Sequence, residues 1–362
     1  MSASPLSSPA ENTDLQLTRV ARFEGMRALA WSGDLLYASR GYDLFCARVS
    51  SPNFGDAFKW ERIGSFRPAL RRRMSVMNRF SSRLFRDGFH ALAVTSSGAV
   101  VAAVPGAIIA LRPGESQFRV TFPIARGTRP LHIAAIPNGN MYWGEYFDNA
   151  ARDQVHIYSS TDAGLTWTVA HTFAKGSIRH VHNVVYDRWA DCLWILTGDY
   201  EDECRILRAS CDFKSVESVL QGNQQARAVA LALAEDALYF STDTPLELNY
   251  VYRLDRRASL VRLAPLTSSS IYGCGVGKNV FFSTMVEPSK VNRDINVRIF
   301  AGRTGEVLRP LLSWQKDAWP MRFFQYGNAF LPDGDNQTNY LAVTTVAVKT
   351  DDCALSLYSV EG

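Results

Sequence analysis

Seven residues able to grip an anion, hold a metal or move a proton recur along this 362-residue chain at near-regular spacing. They are Arg27, His90, His132, His180, Arg227, Tyr272 and Arg322, separated by 63, 42, 48, 47, 45 and 50 residues. Three chemistries suit them. The guanidiniums of Arg27, Arg227 and Arg322 can clasp a carboxylate, because their planar forks match it bidentately. His90, His132 and His180 can together hold a divalent metal (Mn, Zn or Ca), with Glu145 or Gln325 nearby. Tyr272 or one of the histidines can act as acid or base beside the gripped carboxylate.

Each of the seven begins a segment of the same kind. Examples are RALAWSGDLLYAS at Arg27, HIAAIPNGNMYWGEY at His132 and RAVALALAEDALYFSTD at Arg227. Two apolar, β-rich runs flank a polar or Gly-containing turn, which predicts a hairpin. The runs show little polar alternation, as expected of strands covered on both faces. In the fourth unit, HVHN, either His180 or His182 can be the starting residue. Weaker, more charged strand pairs lie between the hairpins, such as VHIYSSTDAGLTWTVAHTF at 155–173. Self-similarity at this period predicts an all-β chain folded as a seven-bladed β-propeller with four-stranded antiparallel blades. The last unit offers one further strand, at 355–360, while LQLTRVARF at 15–23 precedes the first hairpin. The N-terminal strand is therefore expected to complete the last blade and close the ring, which removes two sheet edges.

In such a ring the starts of the first strands and the ends of the second share one rim, because the two run antiparallel. The ends supply Arg40, Glu145, Asp199, Asp243 and Glu287. Innermost positions pack readily with small apolar residues, and polar groups there need partners. For one residue a paired or hydrated role suffices; seven together are read as a site at the channel mouth. His90, His132, His180, Tyr272 and Glu145 are its candidate catalytic residues. Arg27, Arg227, Arg322, His182, Asp199, Asp243 and Gln325 are its candidate substrate-binding residues. His182 joins because alternate residues of a strand point to one side.

The stretch Ser160-Thr161-Asp162-Ala163-Gly164-Leu165-Thr166-Trp167 resembles the Asp-box, the S-x-D-x-G-x-x-W hairpin of sialidases and other propellers, and an eroded copy follows at Ser210-Cys211-Asp212. In those families the box is peripheral, so the resemblance implies a propeller and not an activity. The ring is similar in architecture and residue type to seven-bladed polysaccharide lyases acting on oligogalacturonate, ulvan or rhamnose–glucuronate chains. That resemblance implies β-elimination on an anionic, uronate-containing glycan. Arginine or metal would neutralise the carboxylate, His or Tyr would remove the adjacent proton, and an acid would protonate the leaving oxygen as its bond to carbon breaks. Hydrolysis is the competing chemistry, with two carboxylates from Glu145, Asp199 and Asp243. A sialidase-like hydrolase would use the three arginines and Tyr272, but sialidases are typically six-bladed and carry an N-terminal Arg-Ile-Pro motif that this chain lacks. A non-catalytic propeller binding a glycan or protein partner is the third reading, since fold alone does not give function.

Composition bounds these readings. The chain is 47% apolar with eight Trp, ample for a packed core, and its net charge of +4 gives no general case for nucleic acid. Residues 1–14 are Pro/Ser-rich without signal-peptide character and read as a disordered lead, leaving 15–362 as one propeller domain. The uncharged run Ala91 to Leu111 is broken by Thr-Ser-Ser-Gly and Pro-Gly at hairpin turns, so no transmembrane helix is expected. Six Cys without C-x-x-C or metal spacing point to free thiols and a cytoplasmic location. The first interval is too long, and its surplus falls at 66–87, with seven Arg and one Asp. Leu70, Met74, Met77 and Leu84 recur there at helical spacing, which predicts an amphipathic helix packed by its apolar side. A cap over the channel, an anionic-polymer track, or a membrane-surface or partner contact are its functional alternatives.

Overall fold

Apolar runs without polar alternation need cover on both faces, and the chain provides it by stacking sheets around a ring. Every residue of the second strands Cys192–Thr197, Ala237–Thr242 and Asn279–Thr284 is buried. The computed structural model describes residues 15–49 and 58–362; the expected disordered lead, 1–14, lies outside them. The described residues form seven sheets, six of four strands and one of five. This is an all-β, seven-bladed propeller with four-stranded antiparallel blades. The innermost strands begin at Arg27, Ala91, Ala134, Val181, Ala228, Ser270 and Asn328. Gln16–Glu24 pairs antiparallel with Ala354–Glu361 as the outermost strand of blade seven, with Leu17 opposite Val360 and Glu24 opposite Ala354. The N-terminal strand thus closes the ring as its sequence position predicts.

The core is not central. It consists of apolar clusters at the junctions between neighbouring blades. Leu29 and Tyr37 of blade one meet Leu92 and Ile109 of blade two; Leu196 of blade four meets Phe240 of blade five. Each sheet buries its faces only against its neighbours, so no blade is stable by itself.

Two departures from the repeat shape the site. The first is in blade seven, where the innermost strand is Asn328–Phe330. Arg322, expected to start it, lies six residues earlier in an exposed turn. After Phe330 the chain leaves its own blade, and Asp333–Asn336 pairs parallel with Ala30–Gly33 on the inner edge of blade one. The approach is close: at Gly334 (φ +91°) an added Cβ would come within 2.2 Å of the Trp31 carbonyl oxygen, so only glycine fits.

The second departure is the Arg-rich insertion. One amphipathic helix with its apolar side inward is expected; the structure shows two short helices, α1 (Leu70–Ser75) and α2 (Arg79–Phe85), facing the other way. Asn78 caps α2 by accepting from the Ser81 amide at 2.9 Å. Leu70, Met74 and Met77 are 70, 57 and 76% exposed, whereas Arg83 is fully buried. Ion pairs fasten the insertion, alongside Val76 packed on the core and Phe80 against Trp319 and Phe324. Arg83 pairs with Asp317 and Asp352 and lies 4.3 Å from the Trp319 ring centre. Arg79 also reaches Asp352, and Arg72 holds Asp87 at 2.9 Å. The insertion runs from the outer strand Glu61–Ser65 to His90, so it sits as a cap on the face where the innermost strands begin.

The turn at 160–167 joins the third and fourth strands of blade three. Asp162 Oδ1 accepts from the amides of Leu165 and Thr166 at 3.0 and 2.9 Å, and Ser160 Oγ accepts from the Gly164 amide at 2.9 Å. Blade four repeats a reduced version, with Asp212 accepting from the Lys214 amide at 3.2 Å. The six cysteines are free. Among the described residues, no helix is long and apolar enough to cross a membrane.

Candidate functional site

The innermost strands deliver most of the seven residues to one face, but not to one place. Arg27 opens its strand, His180 and Arg227 immediately precede theirs, and Tyr272 is third in its own. Bulges at Val181/Asn183, Ala228/Leu231 and Ser270/Tyr272 shift the side-chain alternation there. The single expected mouth divides into two clusters, and Arg322 and Gln325 belong to neither. Arg322 sits against Phe323, 5.6 Å from the ring centre, in the turn that Gln325 follows.

The first cluster lies inside the channel. His132 Nδ1 donates to Asp333 Oδ2 at 2.8 Å. The Arg27 guanidinium lies 4.1 Å from the Phe330 ring centre and donates long bonds to the carbonyls of Phe89 and His90, at 3.4 and 3.5 Å. Tyr272 meets Phe330 edge-on at 5.0 Å. Burial lowers the Arg27 pKa and raises that of Tyr272. Burial, together with the Arg27 charge, brings Arg129 down to about 10. His90 Nε2 donates to the Arg86 carbonyl at 2.7 Å, and burial with the charges of Arg129 and Arg27 puts its pKa well below the ordinary value. Asp333 and Arg129 are absent from the sequence-based set. Asp333 arrives on a parallel strand, and the Pro-Asp-Gly around it signals only a turn.

The channel encloses a cavity of ≈ 1290 Å³ that extends toward the opposite face, among the turns bearing Ser32, Ser96, Pro137, Trp189, Asp236 and Lys278. Of the starting residues, His132 and Tyr272 line it.

The second cluster spans blades three to five. His180 Nε2 and His182 Nε2 are 3.1 Å apart, and each is 3.4 Å from an Asp199 carboxylate oxygen. His180 Nδ1 faces the Phe147 carbonyl at 3.1 Å and His182 Nδ1 the Ala228 carbonyl at 2.9 Å. Arg227 pairs with Asp199 at 3.1 Å and with Asp243 at 3.5 Å; Arg179 reaches Asp199 at 3.4 Å. The Tyr146 ring lies 4.3 Å from that of His180. Burial works to raise the Asp199 carboxyl, but its His180, His182 and Arg227 partners outweigh it and hold it well below the usual range. Burial and the charges of Asp199 and Asp243 push Tyr146 up to about 12. Burial and Asp243 also raise Glu287.

These contacts correct four expectations. The set His90, His132 and His180 does not assemble around one ion. Among the described residues, the group whose ligand atoms converge is His180, His182 and Asp199, because the bulged start of one strand meets the end of its hairpin partner. Glu145 is not free for catalysis: it takes Arg126 with both oxygens, Nε at 3.0 Å, and accepts from the His156 amide at 2.8 Å. Arg227 is not free to grip a substrate carboxylate, since Asp199 and Asp243 occupy it. Arg40, also expected at the rim, is exposed and donates to the Glu24 carbonyl at 3.1 Å.

A third feature lies on the cap. Leu70, Met74, Met77, Phe80, Phe85 and, from the neighbouring turn, Phe323 are each at least half exposed. Arg67, Arg71 and Arg73 are exposed beside them, and no ion pair involves them among the described residues.

Solved structures share this propeller fold. The chain is similar to a chain from "Crystal Structure of Mitotic Checkpoint Complex", with a TM-score of 0.57, 11% identity and full coverage of both chains. It is also similar to one from "Crystal structure of WD40 beta propeller domain of Doa1", with a TM-score of 0.55 and 10% identity over 96% of this chain and 97% of that one. At such identities the likeness shows the fold alone. No protein-family model and no curated protein matches the chain.

Proposed function

We propose that this protein is a non-catalytic propeller scaffold whose cap docks an acidic protein segment carrying apolar anchors. The observation that supports this best is the inverted polarity of the 66–87 insertion. A helix pair held only by packing would hide Leu70, Met74 and Met77. Here the inward side is occupied by Arg83 and its carboxylates, and the apolar side chains face solvent among arginines without acidic partners. Exposed apolar groups collected in one place, with a charged rim, are characteristic of interaction sites. Met side chains adapt to varied partners, and unpaired guanidiniums favour an acidic one. The likeness in fold to a WD40 propeller domain, and to a chain from a complex, fits the same reading.

The elimination reading has less support. It needs three arginines free at one mouth; Arg227 is paired internally, Arg322 lies in the outer turn, and Arg27 is stacked on Phe330.

The test uses the full chain and fluorescent peptides rich in Glu with Leu and Phe anchors, alongside charge-reversed controls. Acidic peptides should bind in a salt-sensitive manner. Leu70→Ser with Met77→Ser, and separately Arg71→Glu with Arg73→Glu, should each weaken binding by about tenfold or more, the effect of losing one anchor or charge contact. Unchanged binding in these variants sinks the proposal. So does preferential binding to phosphatidylserine vesicles, or an ultraviolet-absorbing unsaturated product from uronate polysaccharides.

A further inference from the structure

We propose that His180, His182 and Asp199 form a divalent-cation site, taking an ion of the zinc class, that ties blades three, four and five together. It is independent of the cap. The argument begins with the tautomers. A backbone carbonyl only accepts hydrogen bonds, so Nδ1 of His180, facing Phe147 O, and Nδ1 of His182, facing Ala228 O, must both carry the hydrogen. A neutral ring then presents a bare lone pair at Nε2. The two Nε2 atoms face each other at 3.1 Å, with the Asp199 oxygens 3.4 Å from each. Three lone-pair-bearing groups thus converge with nothing of positive charge between them.

Two things can relieve that repulsion, an added proton or a metal ion. The rings are 5% and 3% exposed, and burial favours neutral imidazoles. The spacing also favours an ion. Ligands at ~2.0–2.1 Å about a tetrahedral zinc-type centre are separated by about 3.3 Å. Observed separations of 3.1, 3.4 and 3.4 Å match that, whereas 3.4 Å is long for a charge-assisted hydrogen bond.

The surroundings agree. An imidazole whose second nitrogen donates to a carbonyl is the usual arrangement behind a metal ligand. Asp243 and Glu287 add carboxylates beyond Asp199, beside the guanidiniums of Arg227 and Arg179 that reach Asp199 at 3.1 and 3.4 Å. Two imidazoles with one carboxylate prefer zinc or its first-row neighbours over calcium or magnesium. The Phe147 and Ala228 carbonyls belong to blades three and five, so an ion here fixes the rings that bridge both junctions.

The experiment is elemental analysis and cobalt(II) titration of the full chain, purified without chelator. One zinc-class ion per chain is expected, with cobalt giving the visible bands of a tetrahedral nitrogen/oxygen site and no sulfur charge-transfer band, which excludes the six cysteines as the ligands. His182→Ala, His180→Gln and Asp199→Asn should each lose that ion, and chelation should lower the melting temperature of wild type only. Circular dichroism checks that each variant folds; if the histidine variants do not, Asp199→Asn must still lose the ion. A wild type that takes up no stoichiometric zinc or cobalt, a cobalt spectrum with sulfur ligation, or uptake unaffected by these substitutions overturns the site.

Discussion

His90 shows how burial changes what a residue can do. It looks from its type like an acid, a base or a metal ligand, yet its Nε2 is bonded to the Arg86 carbonyl and two arginines press on it. Its folded pKa lies below the ordinary 6.5. Below that pH the unfolded chain takes up a proton that the folded chain refuses, so stability is present above 6.5 and falls as pH drops. Each such proton contributes a slope of at most about 1.4 kcal/mol per pH unit. His180 is lowered as well and acts in the same direction. His90→Gln should therefore flatten, without abolishing, the fall in melting temperature between pH 7.5 and 5.5; an identical slope in the variant rules this out. The polar character of the starting residues was legible in sequence, and so was the nearness of His180 and His182, two residues apart at the start of one strand. Which carboxylate met which cation was not, since Asp199 meets Arg227 only through the register of neighbouring blades, and Asp333 meets His132 only through a parallel crossing.

The cap shows where periodicity misleads at the level of elements. Helical spacing of apolar residues predicts one helix where the structure has two short ones, and it does not say which side faces the protein. Arg83 goes inward because Asp317 and Asp352, more than two hundred residues away in sequence, are waiting there, with Lys316 beside Asp317. Removing one partner of a buried ion pair leaves the others uncompensated. Arg83→Ala should accordingly cost about 3 kcal/mol in urea unfolding, far more than Arg71→Ala on the exposed side, which should fall within about 0.5 kcal/mol of wild type. Equal effects at the two positions would mean that the cap is not anchored through Arg83.

The ring itself was the most legible part of the molecule. A blade is a unit of nearly constant size, so its period survives in sequence where individual contacts leave no trace. The outer strand Gln16–Glu24 was equally readable, because blade seven lacked one strand and the N-terminus supplied one. Its Phe23 packs on Phe58 and Trp60 at 5.1 and 5.4 Å, and its loss would uncover Leu355 and Leu357 at the junction of blades seven and one. A chain starting at Gly25 should lose its cooperative thermal transition; one that melts within a few degrees of the full chain would show that the closure is dispensable.

The parallel crossing at Asp333–Asn336 changes the meaning of that closure. Blades seven and one are joined at two radii, by Gln16–Glu24 on the outer rim and by Asp333–Asn336 on the wall of the channel. A split washer pinned at one radius can still gape by pivoting about the pin; pinned at two, it cannot pivot. Both rungs must break together before the hoop can spring open, so the gap where the chain's two ends meet is guarded against prying from either side.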